Sequence, residues 1–166
     1  CVERHATSKL ATLADLGRVR SFGFRGEALP SIASVSRFSV TTRPADSDAG
    51  FELAIQGGAA PTIRTVGAPV GTRVEVRDLF YNVPARRKFL RAESTELRHA
   101  VEQVALLAMA RSTVGFTVRA DGREVLSLPP AASTGERVAA VLGRDLASGL
   151  APVDYEEQGI SISGFV

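Results

Sequence analysis

Residues 71–90 read Gly71-Thr72-Arg73-Val74-Glu75-Val76-Arg77-Asp78-Leu79-Phe80-Tyr81-Asn82-Val83-Pro84-Ala85-Arg86-Arg87-Lys88-Phe89-Leu90. The stretch begins in strict alternation. Val74 and Val76 share one face and Arg73, Glu75 and Arg77 the other, the pattern of a half-buried strand over Gly71–Arg77. Alternation stops at Asp78, and a helix opens at Pro84, which suits a first turn because its missing N–H is unpaired there anyway. On that helix Arg87 and Arg91 stack at i and i+4, while Phe89 and Leu90 turn into the core.

Upstream lie three more strands. Phe38–Thr42 alternates and is rich in β-formers until Arg43-Pro44 ends it. Phe51–Ile55 and Thr62–Thr65 follow, separated by Gly-Gly and Ala-Pro punctuation. Ahead of them, Ser21-Phe22-Gly23-Phe24-Arg25-Gly26-Glu27-Ala28-Leu29 reads as a glycine loop opening a short helix that closes near Ser34–Ser36. Leu13–Arg20 suits another short helix, and residues 1–10 the end of an element running into a loop.

Downstream, Ser94–Arg111 carries Leu97, Val101, Val104 and Ala108 on one stripe of a long amphipathic helix. Val114–Val118 and Glu124–Leu128 flank Asp121-Gly122, a two-residue hairpin signal. Pro129-Pro130-Ala131-Ala132 breaks the chain. Ser133-x-x-Glu136 then caps a helix, and strands follow near Pro152–Glu156 and Ile160–Val166. The expected class is α+β.

Composition narrows the function. The chain has 166 residues, a net charge of +2 and 45% hydrophobic residues, the arithmetic of a soluble domain that can bury its own core. Cys1 is the single cysteine, which excludes a disulfide framework. The apolar run Val104–Ala110 is far short of a membrane span of about 20 residues. The opening residues lack a signal-peptide pattern, so a cytoplasmic location is the expectation. The only methionine is Met109 and the last residues read as a strand cut short, so the chain reads as a piece of a longer one. Cys1, His5 and His99 show no metal-ligand spacing, and no Ser sits in a G-x-S-x-G turn, so neither a metal site nor acyl transfer is expected.

Three segments can bind anions. The loop Gly23–Leu29 lets backbone N–H groups approach a phosphate, with Arg25 as counter-charge, or else is simply a tight turn. It is neither a P-loop nor a dinucleotide fingerprint. In His5-Ala6-Thr7-Ser8-Lys9-Leu10, two hydroxyls and an ammonium could hold phosphate oxygens, or the segment is a polar loop. Arg86, Arg87, Lys88 and Arg91 put four cations in six residues, either a phosphate-backbone contact or a solvated face.

Taken in order, His5–Leu10, Gly23–Leu29 and Gly71-Thr72 with Asp78–Leu90 resemble the signature blocks of the MutL family of DNA mismatch repair proteins, in the GHKL ATPase superfamily of DNA gyrase, Hsp90 and histidine kinases. The resemblance implies a two-layer α/β sandwich of the Bergerat ATPase type, incomplete, over residues 1–130. The truncated start of a ribosomal-protein-like α/β second domain would follow over 131–166. It implies ATP as ligand, with Thr7, Ser8 and Lys9 beside it. Gly23, Phe24, Arg25, Gly26, Glu27, Ala28 and Leu29 would form a lid over the triphosphate, and Thr72 would lie near the adenine. The catalytic glutamate and the Mg²⁺-binding asparagine of the family fall upstream of Cys1, so the segment alone should not hydrolyse ATP. The implied role is an ATP-gated switch that dimerises as a homodimer, answers a MutS-type mismatch sensor and contacts DNA through Arg86, Arg87, Lys88 and Arg91. The alternative is a DNA-binding module with no working ATP site.

Overall fold

Four strands make one antiparallel sheet in the order β3-β2-β1-β4: β1 Arg37–Arg43, β2 Gly50–Gln56, β3 Thr62–Val66 and β4 Gly71–Arg77. They belong to a computed structural model that describes residues 1–10, 12–19 and 22–166. The chain divides into two compact units, Cys1–Leu90 and Arg91–Val166. All the sheets are antiparallel, and with the helices they make the class α+β, as expected.

Register gathers the apolar residues of the first unit. Phe38 lies opposite Ile55 on one side and Val76 on the other, and Val40 opposite Leu53 and Val74. Because facing residues in an antiparallel pair point the same way, these six form one apolar face. Helix α1, Ala28–Ala33, covers part of it, and Ala33, Phe38 and Ile55 make the buried centre, with Leu29 and Ile32 against it. Six residues of helix span about 9 Å, whereas four strands span about 14 Å. Within this segment the β4 part of the face is exposed. Val74 and Val76 are 50% and 44% exposed, where alternation alone predicts a covered face.

The block after β4 is a staple. The backbone turns through left-handed φ at Asp78 (52°) and Phe80 (63°). The Phe80 N–H donates to the Val35 carbonyl at 2.7 Å. The Asn82 amide donates to the Ser34 carbonyl at 3.0 Å and reaches that of Gly57 at 3.4 Å. A side chain at Gly57 would place its Cβ 2.5 Å from the Tyr81 hydroxyl, at a left-handed φ of 56° that favours glycine. Arg37 pairs with Asp78 at 3.0 Å and lies over the Tyr81 ring. The turn after α1 and the turn after β2 are thus pinned to one point.

The helix at Pro84 is a single turn, α2, Pro84–Arg87, ending at Lys88. This corrects the expected Arg87–Arg91 stack, since Arg91 lies past the helix and opens the second unit. Phe89 does not turn inward either, being 85% exposed. The turn Leu13–Arg18 is a 3-10 helix. Arg20 and Ser21, the ends of two expected segments, lie outside the described residues.

In the second unit, α3 runs Glu93–Met109 with Ala108 fully buried and Leu97, Val101 and Val104 partly so, the expected stripe. Strands β5, Phe116–Ala120, and β6, Arg123–Leu128, close at Asp121 and Gly122, both at positive φ. Helix α4, Thr134–Leu142, is capped by the Ser133 hydroxyl, which accepts the Glu136 N–H at 3.1 Å. Helix α5, Arg144–Ser148, was not expected, and β7, Pro152–Glu157, pairs with β8, Ile160–Phe165. Arg137 on α4 is fully buried. Its Nη2 donates to the carbonyls of Ser112, Val114 and Pro129 at 2.8, 2.6 and 2.8 Å. Arg137 thus ties α4 to the backbone around Ser112, Val114 and Pro129 within the second unit. Among the described residues, no helix is long and apolar enough to cross a membrane.

Candidate functional site

Two loops far apart in sequence meet in the first unit. Lys9 donates from Nζ to the Gly23 carbonyl at 2.8 Å. The His5 imidazole Nδ1 stands 2.9 Å from the Glu27 carboxylate. Between these contacts Gly26, at φ 65°, presses on Ala6, where an added Cβ would stand 2.4 Å from the Ala6 carbonyl oxygen. Glycine is required there twice over, for its φ and for the approach.

Together the loops line an open cleft of about 980 Å³, formed by Cys1, Ala6–Lys9 and Phe22–Leu29. That size holds a nucleotide-sized ligand. Of the residues that the resemblance sets against the nucleotide, Thr7, Ser8, Lys9 and Gly23–Leu29 line this one space. Thr72 is not among them, and at the start of β4 its hydroxyl pairs with that of Thr42 at 2.8 Å. Because α1 has only six residues, its dipole is weak, so an anion would rely on the loop N–H groups and on nearby cations. Arg25, set over the Phe24 ring, and Lys9 supply those.

The His5–Glu27 contact and the place of Phe22 at the cleft are not legible in the sequence. His5 is 22 positions from Glu27, too far for any local pattern to pair them. Phe22 lines the cleft with an exposed ring and carries no motif of its own.

The basic residues behave differently. Arg86, Arg87 and Lys88 are exposed, and their side chains make no hydrogen bond or ion pair among the described residues. Arg91, in the second unit, lies 3.2 Å from the His99 ring, and its N–H donates to Glu96 at 3.0 Å. Among the described residues, no three His, Cys, Asp or Glu side chains gather to hold a metal.

No profile of a known protein family matches the chain. Individual relatives do. The DNA mismatch repair protein MutL of Opitutus terrae is 47% identical over 165 residues, 99% of this chain and 26% of its own length. That of Citrifermentans bemidjiense is 48% identical over 99% of this chain and 25% of its own length. The Aquifex aeolicus MutL ATPase domain complexed with ADP superimposes with a TM-score of 0.71 at 38% identity, covering 94% of this chain and 60% of that one. Over nearly its whole length the chain is similar to MutL proteins. It spans about a quarter of the length of the curated relatives it matches. A further structure, the N-terminal domain of a DNA repair protein, shares the fold at a TM-score of 0.68 and 23% identity.

Proposed function

We propose that this MutL-type segment forms part of the ATP-binding region of a DNA mismatch repair protein that works as an ATP-gated switch. One observation carries the reading: Thr7–Lys9 and Gly23–Leu29, 14 positions apart from Lys9 to Gly23, line a single cleft of nucleotide size. The ADP complex of the Aquifex protein supports it by likeness. In this reading the N–H groups and cations of the loop hold phosphate oxygens, and the hydroxyls of Thr7 and Ser8 add neutral hydrogen bonds. Gly26 keeps the loop close enough to bury the phosphates. Residues 1–130 would contribute to the nucleotide domain and residues 131–166 open a second one. Homodimerisation, recruitment by a MutS-type mismatch sensor and a Mg²⁺ site on other residues belong to the same proposal.

The test is Mg²⁺-dependent ATP turnover in the intact protein that carries this chain. Turnover is expected there, absent in Gly26→Val and absent in the 166-residue chain alone. Turnover by the chain alone would refute the assignment of catalysis to other residues. The unpaired cations Arg86, Arg87 and Lys88 favour a second reading, a DNA-binding module. Salt-sensitive DNA binding indifferent to both ATP and Gly26→Val would establish it instead.

A further inference from the structure

The contacts between the two loops run antiparallel, like a zip. Lys9 meets Gly23, Ala6 meets Gly26, and His5 meets Glu27. The Lys9 ammonium holds one end of the glycine loop. At the other end, Glu27 directly follows the Gly26 turn and opens α1. His5 reaches it from a left-handed backbone, φ 62°, which a residue with a side chain adopts uncommonly. A carboxylate only accepts hydrogen bonds, so Nδ1 carries the proton in this pair. The imidazolium holds Glu27 by charge as well, whereas the neutral ring holds it through one tautomer alone.

We propose that His5 is a positioning residue for the glycine loop: through Glu27 it keeps the Gly26 turn seated on Ala6, and its protonation tightens nucleotide binding. This rests on the nucleotide reading above. The charged groups on the two segments are Glu3, Arg4 and Lys9 on one and Arg25 and Glu27 on the other. Among the described residues, the one within ion-pair distance of His5 is Glu27.

The test is calorimetric binding of a non-hydrolysable ATP analogue to the intact protein at intervals between about pH 5.5 and about pH 8.5. His5→Asn removes the ring while keeping a residue that tolerates positive φ. The affinity ratio of wild type to variant cancels the titration of the nucleotide itself. It is expected to be about two- to fivefold at the acid end and to fall toward one at the alkaline end. Glu27→Gln should abolish the same pH dependence, and the double variant should add nothing further. A ratio that does not change with pH would overturn the proposal, as would equal affinities throughout. If the wild type binds no nucleotide at any pH, the nucleotide reading itself fails and this one with it. A wild type that binds with a pH-flat ratio sinks only the His5 role.

Discussion

Replacing Gly26 with alanine tests the site at its tightest contact. The added Cβ would stand 2.4 Å from the Ala6 carbonyl oxygen and 2.7 Å from its carbonyl carbon, both backbone atoms that cannot rotate aside. The loop must then withdraw by about 1 Å to reach ordinary contact distance. The left-handed φ of 65° costs an L-residue a further 1–2 kcal/mol, roughly. Withdrawal also stretches the Lys9–Gly23 and His5–Glu27 contacts, exposed interactions that contribute a few tenths of a kcal/mol each, roughly. The sum against the closed loop is about 2–3 kcal/mol, a loss of roughly 30- to 150-fold in nucleotide affinity. Gly23→Ala meets nothing within 4 Å and should weaken binding far less. Titration calorimetry of the intact proteins with an ATP analogue compares the two, and urea unfolding checks that the Ala33–Phe38–Ile55 core is untouched. Equal affinities for the two variants would refute the steric argument.

Three other outcomes follow from separate parts of the chain. Arg137→Ala strips the donor from three carbonyls; against it, Nε and Nη1 of Arg137 are themselves buried without partners. The net loss should be about 3 kcal/mol, a fall of roughly 1.5 M in the urea midpoint, and an unmoved midpoint would mean the clamp is idle. Changing Arg86, Arg87 and Lys88 together to Gln should flatten the dependence of DNA affinity on log salt by about two to three units; an unchanged slope would place the DNA contact elsewhere. The Glu75 carboxylate is held below its ordinary range, first by the hydrogen bond from Arg77 and also by Arg73. Its folded pKa is therefore lower than its unfolded one, so its small contribution is complete above the unfolded value and disappears as pH falls through the folded one. Unfolding midpoints of wild type and Glu75→Gln should converge as pH drops from about 5 to about 3, and parallel curves would contradict the assignment.

The strands and the long helix were legible because their signals are local. Alternation placed Gly71–Arg77 to the residue, and the Asp121-Gly122 pair located its hairpin. The one-turn length of α2 was not legible, because a Pro84 start followed by basic residues suits a long helix as well as a short one. The hairpin turn Gln158-Gly159, with both residues at positive φ, was not legible for a related reason, since Gln is a weaker turn signal than Asn or Asp. Helix α5 follows Gly143 so closely that its sequence reads as the tail of α4.

The sequence alone determined the α+β class and the positions of the strands, and it singled out the two segments that line the cleft, since residue type and spacing along the chain carry that information. Only the tertiary structure could show that the two segments share one cleft, that His5 meets Glu27, and that Gly26 is hemmed in by Ala6. It alone shows Asn82 tying together turns 25 and 48 residues away, and Arg137 spent on three backbone carbonyls. Such contacts depend on where the folded backbone brings distant residues, and a short-range pattern of polarity holds no record of that distance.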